Sequence, residues 1–371
     1  MGTVIVVGAG IGGVTAAVAL QRCGWGVTVL ERSVTLGEVG AGISVWPSAV
    51  AVLTELGVKG IDQAAALSGP TALRKPSGRW VVGAADLGVE LPVMIHRAQL
   101  HGLITAEFGP GVTVRTGYLV KTVTQDDSGV LINDELRADL VIAADGLRSV
   151  IRSALHPQYA GPRYSGYTAY RGIADVRADD GGETWGQAQR FGVTQLIDGR
   201  AYWYATANQP AGQGGDLAAV IRRYGGWHDP IPAILAATDT ALQNDIYDLT
   251  LPLVPFATGR IALLGDAAHA MTPNLGRGAC TAIEDAGALA RHLQSAPDPL
   301  TALTRYDAER RPIATKLVKR SRQIGQLGQL DNPLAVGVRD VLMSVGASAA
   351  RGAAALRKMK QSRRDHSSAG S

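Results

Sequence analysis

A glycine-rich turn near the start of the chain constrains its fold more than any other feature of the sequence. Residues Thr3–Val7 are a short run of mostly β-branched side chains, typical of a buried parallel strand, and the sequence GAGIGG at positions 8–13 follows directly. Residues 14–22 then predict a helix packed through small side chains, and residues 27–30 predict a second strand. The start of the chain is therefore predicted to be a βαβ unit of an α/β fold.

The turn has the spacing of a dinucleotide-binding loop. Gly8 allows a tight turn, Gly10 lets the backbone approach a pyrophosphate, and Gly13 lets helix and strand pack closely. Glu31 ends the second strand, where a carboxylate accepts hydrogen bonds from a ribose diol and repels a 2′-phosphate. We therefore expect FAD or NAD rather than NADP as the tightly bound dinucleotide. The alternative interpretation is an ordinary βαβ turn followed by a surface glutamate.

Composition and charge exclude several other classes of protein. The chain has 371 residues, of which 46% are hydrophobic and 18% charged, as expected of a globular protein with a large core. Its two cysteines, Cys23 and Cys280, exclude a disulfide framework and a four-ligand zinc cluster, and no metal site is predicted.

The net charge is unevenly distributed along the chain. The formal charge of +4 comes from the residues after position 350, where six basic side chains face one acidic side chain. The remainder is nearly neutral, so no nucleic-acid partner is expected. We interpret the basic residues as a solvated, mobile tail, and binding to an acidic partner is the alternative.

The sequence shows no sign of export or of a membrane span. It contains no run of 18 apolar residues, and the first apolar segment leads straight into the glycine loop without a basic region or a cleavage site. We therefore expect a cytoplasmic protein.

The coarse pattern of elements predicts two interleaved domains. Helices are predicted at residues 47–56, 96–108, 279–294 and 301–325, the last with a kink at Pro312, and buried strands at residues 140–144 and 260–265. Residues 112–120 and 130–132 are predicted to be antiparallel strands. The expected domains are a discontinuous nucleotide-binding domain at 1–70, 95–163 and 256–325, a sheet domain at 71–94 and 164–255, and a C-terminal helix with the basic tail at 326–371.

Two further segments point to a known family. Residues 143–152 read AADGLRSVIR after a buried strand, and residues 261–285 read IALLGDAAHAMTPNLGRGACTAIED. Over about residues 1–325 the chain resembles the single-component FAD-dependent aromatic hydroxylases, the p-hydroxybenzoate hydroxylase-like group, and is most similar to the compact salicylate hydroxylase, urate hydroxylase and zeaxanthin epoxidase type. The motifs that carry the resemblance are the glycine loop with Glu31-Arg32, the pair Asp145-Gly146 and the pair Gly265-Asp266.

The resemblance implies a Rossmann-like fold of the GR2 type that binds FAD, with an inserted β-sheet substrate domain and C-terminal helices. Asp266 would bind the ribityl hydroxyls, Arg97 would reach the ribityl-phosphate region, and Asp145 and Gly146 would lie near the pyrophosphate. A turn residue is the alternative for Asp145, and a surface salt bridge is the alternative for Arg97. The loop that precedes the helix at 279–294 would lie against the flavin through Pro273, Gly276 and Gly278.

Two residues of the same segment leave alternatives open. Arg277 stands where the family often has Gln, so it either adds positive charge near the flavin or points to solvent. His269 has no nucleophile motif to serve, and a packing or hydrogen-bonding role competes with catalysis.

The resemblance also implies an activity. NADPH or NADH would reduce FAD as a transient co-substrate, O₂ would add at flavin C4a, and the hydroperoxide would hydroxylate an aromatic or polycyclic phenolic small molecule. The alternatives are an epoxidase or ring-oxidising monooxygenase acting on a non-phenolic unsaturated substrate, a flavin oxidase or reductase of the same fold, or a non-enzymatic flavoprotein. The protein is expected to be a monomer or a homodimer.

The substrate site is expected on the inserted sheet. The hairpin around Asp198-Gly199 allows a two-residue or a three-residue turn, and both registers place Tyr202 and Tyr204 on one face. The three-residue turn adds Arg190 to that face, and it is favoured because urate hydroxylases have an arginine and a tyrosine at the spacing of Arg190 and Tyr202. Ordinary sheet core is the alternative for the tyrosines. Urate hydroxylases have an acid in place of Asn274, which argues against urate as the substrate.

Overall fold

A computed structural model describes residues 2–37, 42–67, 72–83, 91–178 and 181–348. The basic tail and parts of the predicted segments 1–70, 71–94 and 164–255 lie outside the described residues. The chain divides into two compact units, a first unit of residues 1–66, 92–166 and 245–325 and a second unit of residues 67–91, 167–244 and 326–371. The functional assignment of the predicted domains stays a prediction.

The elements are numbered in chain order. The strands are β1 (Thr3–Val7), β2 (Gly26–Leu30), β3 (Gly42–Val45), β4 (Ala65–Leu67), β5 (Leu73–Arg74), β6 (Trp80–Val82), β7 (Val93–His96), β8 (Val112–Arg115), β9 (Val123–Asp126), β10 (Gly129–Ile132), β11 (Leu136–Ala138), β12 (Leu140–Ala143), β13 (Pro162–Ala174), β14 (Gly182–Trp185), β15 (Gln189–Gln195), β16 (Ala201–Asn208), β17 (Thr238–Leu249), β18 (Ala257–Thr258) and β19 (Ile261–Leu263). The helices are α1 (Ile11–Arg22), α2 (Pro47–Glu55), α3 (Ile61–Ala64), α4 (Arg97–Thr105), α5 (Val150–Leu155), α6 (Leu217–Tyr224), α7 (Ile231–Ala236), α8 (Asp266–His269), α9 (Gly278–Ser295) and α10 (Pro299–Gly328). A 3₁₀ turn covers Pro273–Leu275, and a further helix covers residues 333–348.

The first unit is built on a six-stranded sheet in the order β18-β19-β12-β1-β2-β8. Strand β1 pairs in parallel with both β12 and β2, and β12 pairs in parallel with β19. The side chains Val4 to Val7 of β1 are buried, as expected of a strand covered on both faces. The predicted βαβ unit and α/β class are thus present in the structure.

One predicted pairing was wrong. Residues 112–120 were expected to form a strand antiparallel to residues 130–132, but β8 ends at Arg115 and pairs in parallel with β2. The antiparallel partners of β10 are β9 and β11. The alternating burial of β8 reflects its position at the edge of the sheet, where one face is exposed, and it carries no information about strand direction.

Helices cover the first sheet through close contacts that need small side chains. Helix α1 begins at Ile11, before the predicted start at residue 14, and it packs against α9. A β-carbon on Gly12 would lie 2.9 Å from the β-carbon of Ala282, so only glycine permits this approach of the two helices. Helix α10 continues through Pro312, and α4 ends at Thr105 rather than at the predicted residue 108.

The second unit contains a seven-stranded sheet in the order β17-β13-β16-β15-β14-β5-β6. Helices α6 and α7 cover one face of it. On that face the rings of Phe191 and Trp203 stack with their centroids 5.5 Å apart, and Tyr224 of α6 packs against them. No helix in the described part of the chain is long and apolar enough to cross a membrane.

The hairpin between β15 and β16 has the three-residue turn. The N–H of Leu196 donates to the carbonyl of Arg200 at 2.8 Å, and Gly199 has φ of +87°. Thr194 therefore lies opposite Tyr202, which is the register that the sequence favoured.

Candidate functional site

The carboxyl ends of four parallel strands meet at one edge of the first sheet. After β1, the N–H of Gly8 donates to the carbonyl of Leu30 at 2.8 Å. After β12, the N–H of Ala144 donates to Val7 at 2.8 Å, and after β19 the N–H of Leu264 donates to Ala143 at 2.9 Å. The glycine loop, Glu31, Asp145 and Asp266 are thereby brought to the same edge, where open α/β sheets bind their ligands.

The glycine loop is shaped for close approach to a ligand. Gly8 has φ of +101°, and a β-carbon on Gly13 would lie only 1.9 Å from the carbonyl oxygen of Gly8. Among the described residues no side chain caps the start of α1, and its first turn contains no acidic residue. The positive end of this helix can therefore accept an anionic group such as a pyrophosphate.

Two side chains hold the glycine loop from opposite directions. The carboxylate of Glu31 accepts hydrogen bonds from the N–H groups of Ala9 and Ser33, both at 2.8 Å. Burial favours the protonated form of Glu31, but these two N–H groups outweigh it and lower its pKa, so the side chain is a carboxylate. His101 of α4 places its Nε2 atom 2.8 Å from the carbonyl oxygen of Ala9. His101 was not predicted, because nothing in its local sequence signals a contact with the loop.

Asp145 has one oxygen that the described protein leaves without a partner. Its Oδ2 accepts from the N–H of Ile151 at 3.3 Å, whereas its buried Oδ1 has no hydrogen bond within the described residues. Burial raises the pKa of Asp145. Gly146 has φ of +82° with no atom within 4 Å of the position of a β-carbon. A ligand donor beside this turn would satisfy the Oδ1 atom.

Asp266 is exposed although the rest of residues 261–270 is buried. It is the first residue of α8, directly after the end of β19. Arg152, which the sequence analysis did not single out, is 2% exposed and joins the two neighbouring loops. It donates to the carbonyl of Ala267 at 2.8 Å and to the carbonyl of Leu147 at 2.7 Å, and so fixes Asp145 and Asp266 at the sheet edge.

A buried carboxylate, Asp285 of α9, supports the loop that carries Asp266. Its Oδ2 lies 2.5 Å from Nε2 of His269 and accepts from the N–H of Gly265 at 3.3 Å, and its Oδ1 accepts from Nε of Arg310 at 2.7 Å. Burial favours the neutral form of Asp285, but the charges of His269 and Arg310 outweigh it and lower its pKa. Burial likewise opposes the charged form of His269, but Asp285 outweighs it and raises the pKa of the imidazole. His269 is fully buried, which supports the hydrogen-bonding role over the catalytic one.

The loop before α9 is held by contacts within the first unit. The 3₁₀ turn at Pro273–Leu275 ends at Gly276, which has φ of +59°, and α9 begins at Gly278 with no capping side chain among the described residues. Asn274 donates from Nδ2 to the hydroxyl of Thr272 at 2.8 Å and to the carbonyl of Ser321 at 3.1 Å. The open start of α9 can stabilise negative charge on a ligand.

The side chain of Arg277 lies within the first unit rather than pointing to solvent, and its placement near the flavin stays a prediction. Its guanidinium donates to Glu284 at 2.8 Å and lies 5.5 Å from the ring centroid of Trp46. Glu284 is shared with Arg310, whose guanidinium donates to its other oxygen at 3.2 Å, so one carboxylate faces two cations here.

Arg97 and Arg32 both belong to the first unit, but they follow strands of different sheets, β7 and β2. Arg97 is the first residue of α4 and is partly buried, whereas Arg32 is exposed directly after Glu31.

The second unit carries a separate polar cluster on the sheet face opposite α6 and α7. Arg190 is 2% exposed and pairs with Glu183 at 2.5 Å, and its guanidinium lies 4.8 Å from the ring centroid of Trp185. Tyr204 hydrogen-bonds to the same carboxylate. Its ring lies over Gly192, where a β-carbon would be 2.2 Å from the ring. Tyr202 is on this face too, opposite Thr194.

Ionisation in this cluster follows from its packing. Burial favours the neutral form of Glu183, but Arg190 outweighs it and lowers the pKa of the carboxyl group. Burial, reinforced by the charge of Glu183, raises the pKa of Tyr204 well above its usual value. The cluster thus contains one cation, one anion and a neutral phenol. Glu183 and Trp185 were not predicted, because their strand carries no motif and only its pairing with β15 brings them beside Arg190.

Comparison with known proteins agrees with the geometry of the first unit. Residues 1–321 match the family described as FAD binding domain. The chain is 39% identical over 369 residues to an aurachin C monooxygenase/isomerase of Stigmatella aurantiaca, which covers 93% of this chain and 94% of that protein. It is 32% identical over 345 residues to an FAD-dependent urate hydroxylase of Klebsiella pneumoniae, which covers 86% of this chain and 88% of that protein. A crystal structure of a Klebsiella pneumoniae HpxO variant complexed with FAD superposes with a TM-score of 0.84 at 29% identity, covering 95% of this chain and 97% of that one.

The fold and the sheet edge therefore define a flavoprotein, and the chain belongs to the FAD-binding domain family. It is an FAD-dependent monooxygenase of the aromatic hydroxylase type, an oxidoreductase that uses NADPH or NADH as co-substrate. Three features of the described residues suit the binding of FAD. They are the start of α1 without a capping side chain, the buried Oδ1 of Asp145 without a hydrogen bond, and the exposed carboxylate of Asp266.

We predict that Asp285→Ala destabilises the protein by about 3–5 kcal/mol, because it leaves the buried cation of Arg310 and the imidazole of His269 without their shared carboxylate. The matched control is Glu309→Ala, which removes a carboxylate that pairs with His292 and Arg291 at the surface and should cost less than about 1 kcal/mol. Urea-induced unfolding of both variants measures the two free energies. Equal losses would contradict the supporting role assigned to Asp285.

Proposed function

We propose that the first unit holds FAD and that the second unit supplies the residues that bind an aromatic or polycyclic phenolic small molecule, which the protein hydroxylates with O₂. The observation that carries the substrate assignment is the Glu183, Arg190 and Tyr204 cluster, a set of buried polar groups on a sheet face that α6 and α7 do not cover. In this proposal residues 1–70, 95–163 and 256–325 act as the FAD domain, and residues 71–94 and 164–255 act as the substrate domain.

We propose that FAD is held mainly by the glycine loop, Glu31 and Asp266 at the sheet edge described above. Glu31 would accept from the ribose diol, the start of α1 would bind the pyrophosphate, and Asp266 would accept from the ribityl hydroxyls. The chemistry that bound FAD supplies is activation of O₂ with electrons from NADPH or NADH. The full set is Gly8, Gly10, Gly13, Glu31, Arg32, Arg97, Asp145, Gly146, Asp266, Pro273, Gly276 and Gly278.

The charge balance of the second cluster favours a neutral substrate. A guanidinium free of a countercharge would attract an anionic substrate, but Glu183 lies 2.5 Å from Arg190 and neutralises it. Tyr202 and Tyr204 add aromatic surface on the same face, which suits a flat ring. We therefore propose Arg190, Tyr202 and Tyr204 as the residues that contact the substrate, with Glu183 as the residue that positions them.

The same cluster can accept a hydrogen bond from the hydroxyl group of a substrate phenol. The raised pKa of Tyr204 keeps its hydroxyl protonated, and that hydroxyl donates to the carboxylate of Glu183. The oxygen of Tyr204 is left to accept a hydrogen bond from the substrate hydroxyl, which polarises the phenol and makes its ring more electron-rich. This arrangement supports hydroxylation of a phenol over oxidation of a substrate without a hydroxyl group.

The similarity to relatives narrows the substrate further. Two relatives are named as acting on aurachin C and on urate, and the chain covers most of the length of both. The side-chain amide of Asn274 donates to Thr272 and Ser321 within its own unit. The loop thus carries an amide at the position where urate hydroxylases have an acid, which supports a substrate other than urate. We propose that the substrate is a small molecule and that the protein has no nucleic-acid partner. We also propose that the protein is cytoplasmic, because its free Cys23 and Cys280 suit a reducing compartment. The proposed assembly is a monomer or a homodimer.

We predict that a phenol or polycyclic phenol accelerates reduction of the purified yellow protein by NADPH or NADH at least about tenfold, and that isotopically labelled dioxygen leaves one labelled atom in the product. Stopped-flow absorbance measures the rate of reduction, and mass spectrometry measures the label in the product. Analogues of the same compounds that lack the hydroxyl groups are the control. Labelled product from the analogues without hydroxyl groups, and none from the phenols, would indicate an epoxidase or ring-oxidising monooxygenase. Fast reduction without any ligand and without labelled product would indicate an oxidase or reductase.

We predict that Glu183→Gln shifts the binding preference from a neutral phenol towards its carboxylated analogue by about tenfold or more, because it exposes the charge of Arg190. Tyr202→Phe should weaken binding of the phenol, whereas Tyr170→Phe, which alters a tyrosine on the opposite face of the same sheet, should not. Titration of flavin fluorescence with both ligands measures the affinities. Unchanged preferences in Glu183→Gln and Tyr202→Phe would show that the substrate binds elsewhere.

A further inference from the structure

The helix at residues 333–348 has an inverted distribution of charged and apolar side chains. Its charged residues, Arg339 and Asp340, are 3% and 6% exposed. Five large apolar side chains point outward instead, with exposures between 59% and 81%, and we refer to them as the apolar stripe: Leu334, Val338, Val341, Leu342 and Val345. A surface helix of a globular protein normally shows the opposite arrangement.

Ionic contacts fix the rotation of this helix. Arg339 donates to Asp340 at 2.8 Å and stacks over Trp185 at 5.4 Å, and the other oxygen of Asp340 pairs with Lys75 at 2.7 Å. The guanidinium also reaches the carbonyl of Gly186 at 3.4 Å. All of these groups belong to the second unit. Turning the apolar stripe inward would break this network, so its exposure is built into the packing of the helix.

The stripe forms one continuous face. Its members follow Leu334 at offsets of four, seven, eight and eleven residues, which is the spacing of one side of an α-helix over about three turns. Two other large apolar residues with more than half of their surface exposed, Leu119 and Ile197, lie on separate loops. A contiguous apolar patch of this kind marks a surface that contacts another molecule.

The sequence that follows the helix indicates the chemistry of that molecule. Arg351, Arg357, Lys358, Lys360, Arg363 and Arg364 are opposed only by Asp365, whereas the remainder of the chain is nearly neutral. A second copy of the chain would bring a second set of these cations towards the first, which electrostatic repulsion opposes. An acidic surface would instead attract the cations while it accepts the stripe.

We propose that the apolar stripe and the basic residues after it bind the protein to the surface of an anionic lipid bilayer. The aliphatic side chains would enter the boundary between headgroups and acyl chains, and the basic residues would pair with anionic headgroups. Stable attachment of this kind needs both contributions, and the two follow one another in the sequence of this chain. The attachment is peripheral, and it does not depend on the identity of the substrate.

The first test is flotation of the full-length, FAD-loaded protein with vesicles of phosphatidylcholine alone or of phosphatidylcholine mixed with phosphatidylglycerol. We expect binding to the mixed vesicles to be at least about tenfold stronger, and to weaken as salt is raised. Protein that remains unbound with both kinds of vesicle would overturn the proposal.

Two variants separate the contributions. The stripe variant Leu334→Gln, Val341→Gln and Leu342→Gln should lose binding to both kinds of vesicle, while the control Leu119→Gln, Ile197→Gln and Leu242→Gln should bind like the wild type, because its positions are exposed but scattered. The tail variant Arg357→Gln, Lys358→Gln and Lys360→Gln should lose the preference for phosphatidylglycerol. FAD content and the rate of NADPH or NADH oxidation report that each variant is folded, and neither should change.

Other occupants of the stripe give different results, each of which contradicts the proposal. A change from dimer to monomer in the stripe variant by light scattering, with no vesicle binding by the wild type, would assign the surface to a second copy. Stronger binding of the tail variant to phosphatidylcholine would mean that the basic segment covers the stripe. A stripe variant that floats as well as the wild type would exclude these side chains from the contact.

Discussion

The parallel pairing of β1 with β2 and β12, and of β12 with β19, is the constraint on which the rest of the first unit depends. Parallel strands place their carboxyl ends at one edge, so segments more than two hundred residues apart in sequence, such as the glycine loop and Asp266, become neighbours there. The backbone hydrogen bonds from Gly8, Ala144 and Leu264 fix the four strand ends relative to one another. Asp285 then supports the loop that carries Asp266, because its carboxylate binds Gly265, His269 and Arg310 at the same time. The arrangement of these loops is thus a consequence of sheet topology, and side-chain contacts such as those of Asp285 stabilise it.

Both units contain buried arginines. Among the described residues three of these arginines pair with a carboxylate, and the three pairs have different roles. Arg310 with Asp285 is enclosed among helices and strands, where the pair can only hold structure in place. Arg190 with Glu183 lies on a sheet face away from α6 and α7, where its hydrogen-bonding partner Tyr204 is partly exposed. Arg339 with Asp340 fixes a helix whose outer face is apolar. Because removing one member of such a pair leaves the charge of its partner less well compensated, each pair favours one local arrangement.

Local signals in the sequence were sufficient to predict the strands and loops at the sheet edge, and they failed for side chains whose partners come from distant segments. The glycine loop, Glu31 and the ends of β12 and β19 follow from short patterns whose geometry is fixed by neighbouring residues. The direction of β8 could not be predicted, because the alternating pattern of an edge strand is the same in parallel and antiparallel pairs. Asp285, Arg152 and Glu183 were missed because each is an isolated charged residue whose partner is defined by tertiary packing. The hairpin register stayed open until the hydrogen bond from Leu196 to Arg200 showed which turn Gly199 makes.

The helix at residues 333–348 shows why hydrophobic periodicity alone is an incomplete guide to burial. The spacing of Leu334, Val338, Val341 and Val345 identifies residues that share a face, and such a face usually packs on the core. Here the contacts of Asp340 with Lys75 and Arg339, together with the stacking of Arg339 on Trp185, hold the charged face of the helix against the second unit, and the aliphatic face is left outside. The net positive charge of the sequence, which comes from residues that follow this helix in the sequence, then acquires a physical meaning together with the exposed stripe. Two features that are each uninformative alone, a patch of aliphatic residues and a cluster of cations, together describe a surface that matches an anionic bilayer.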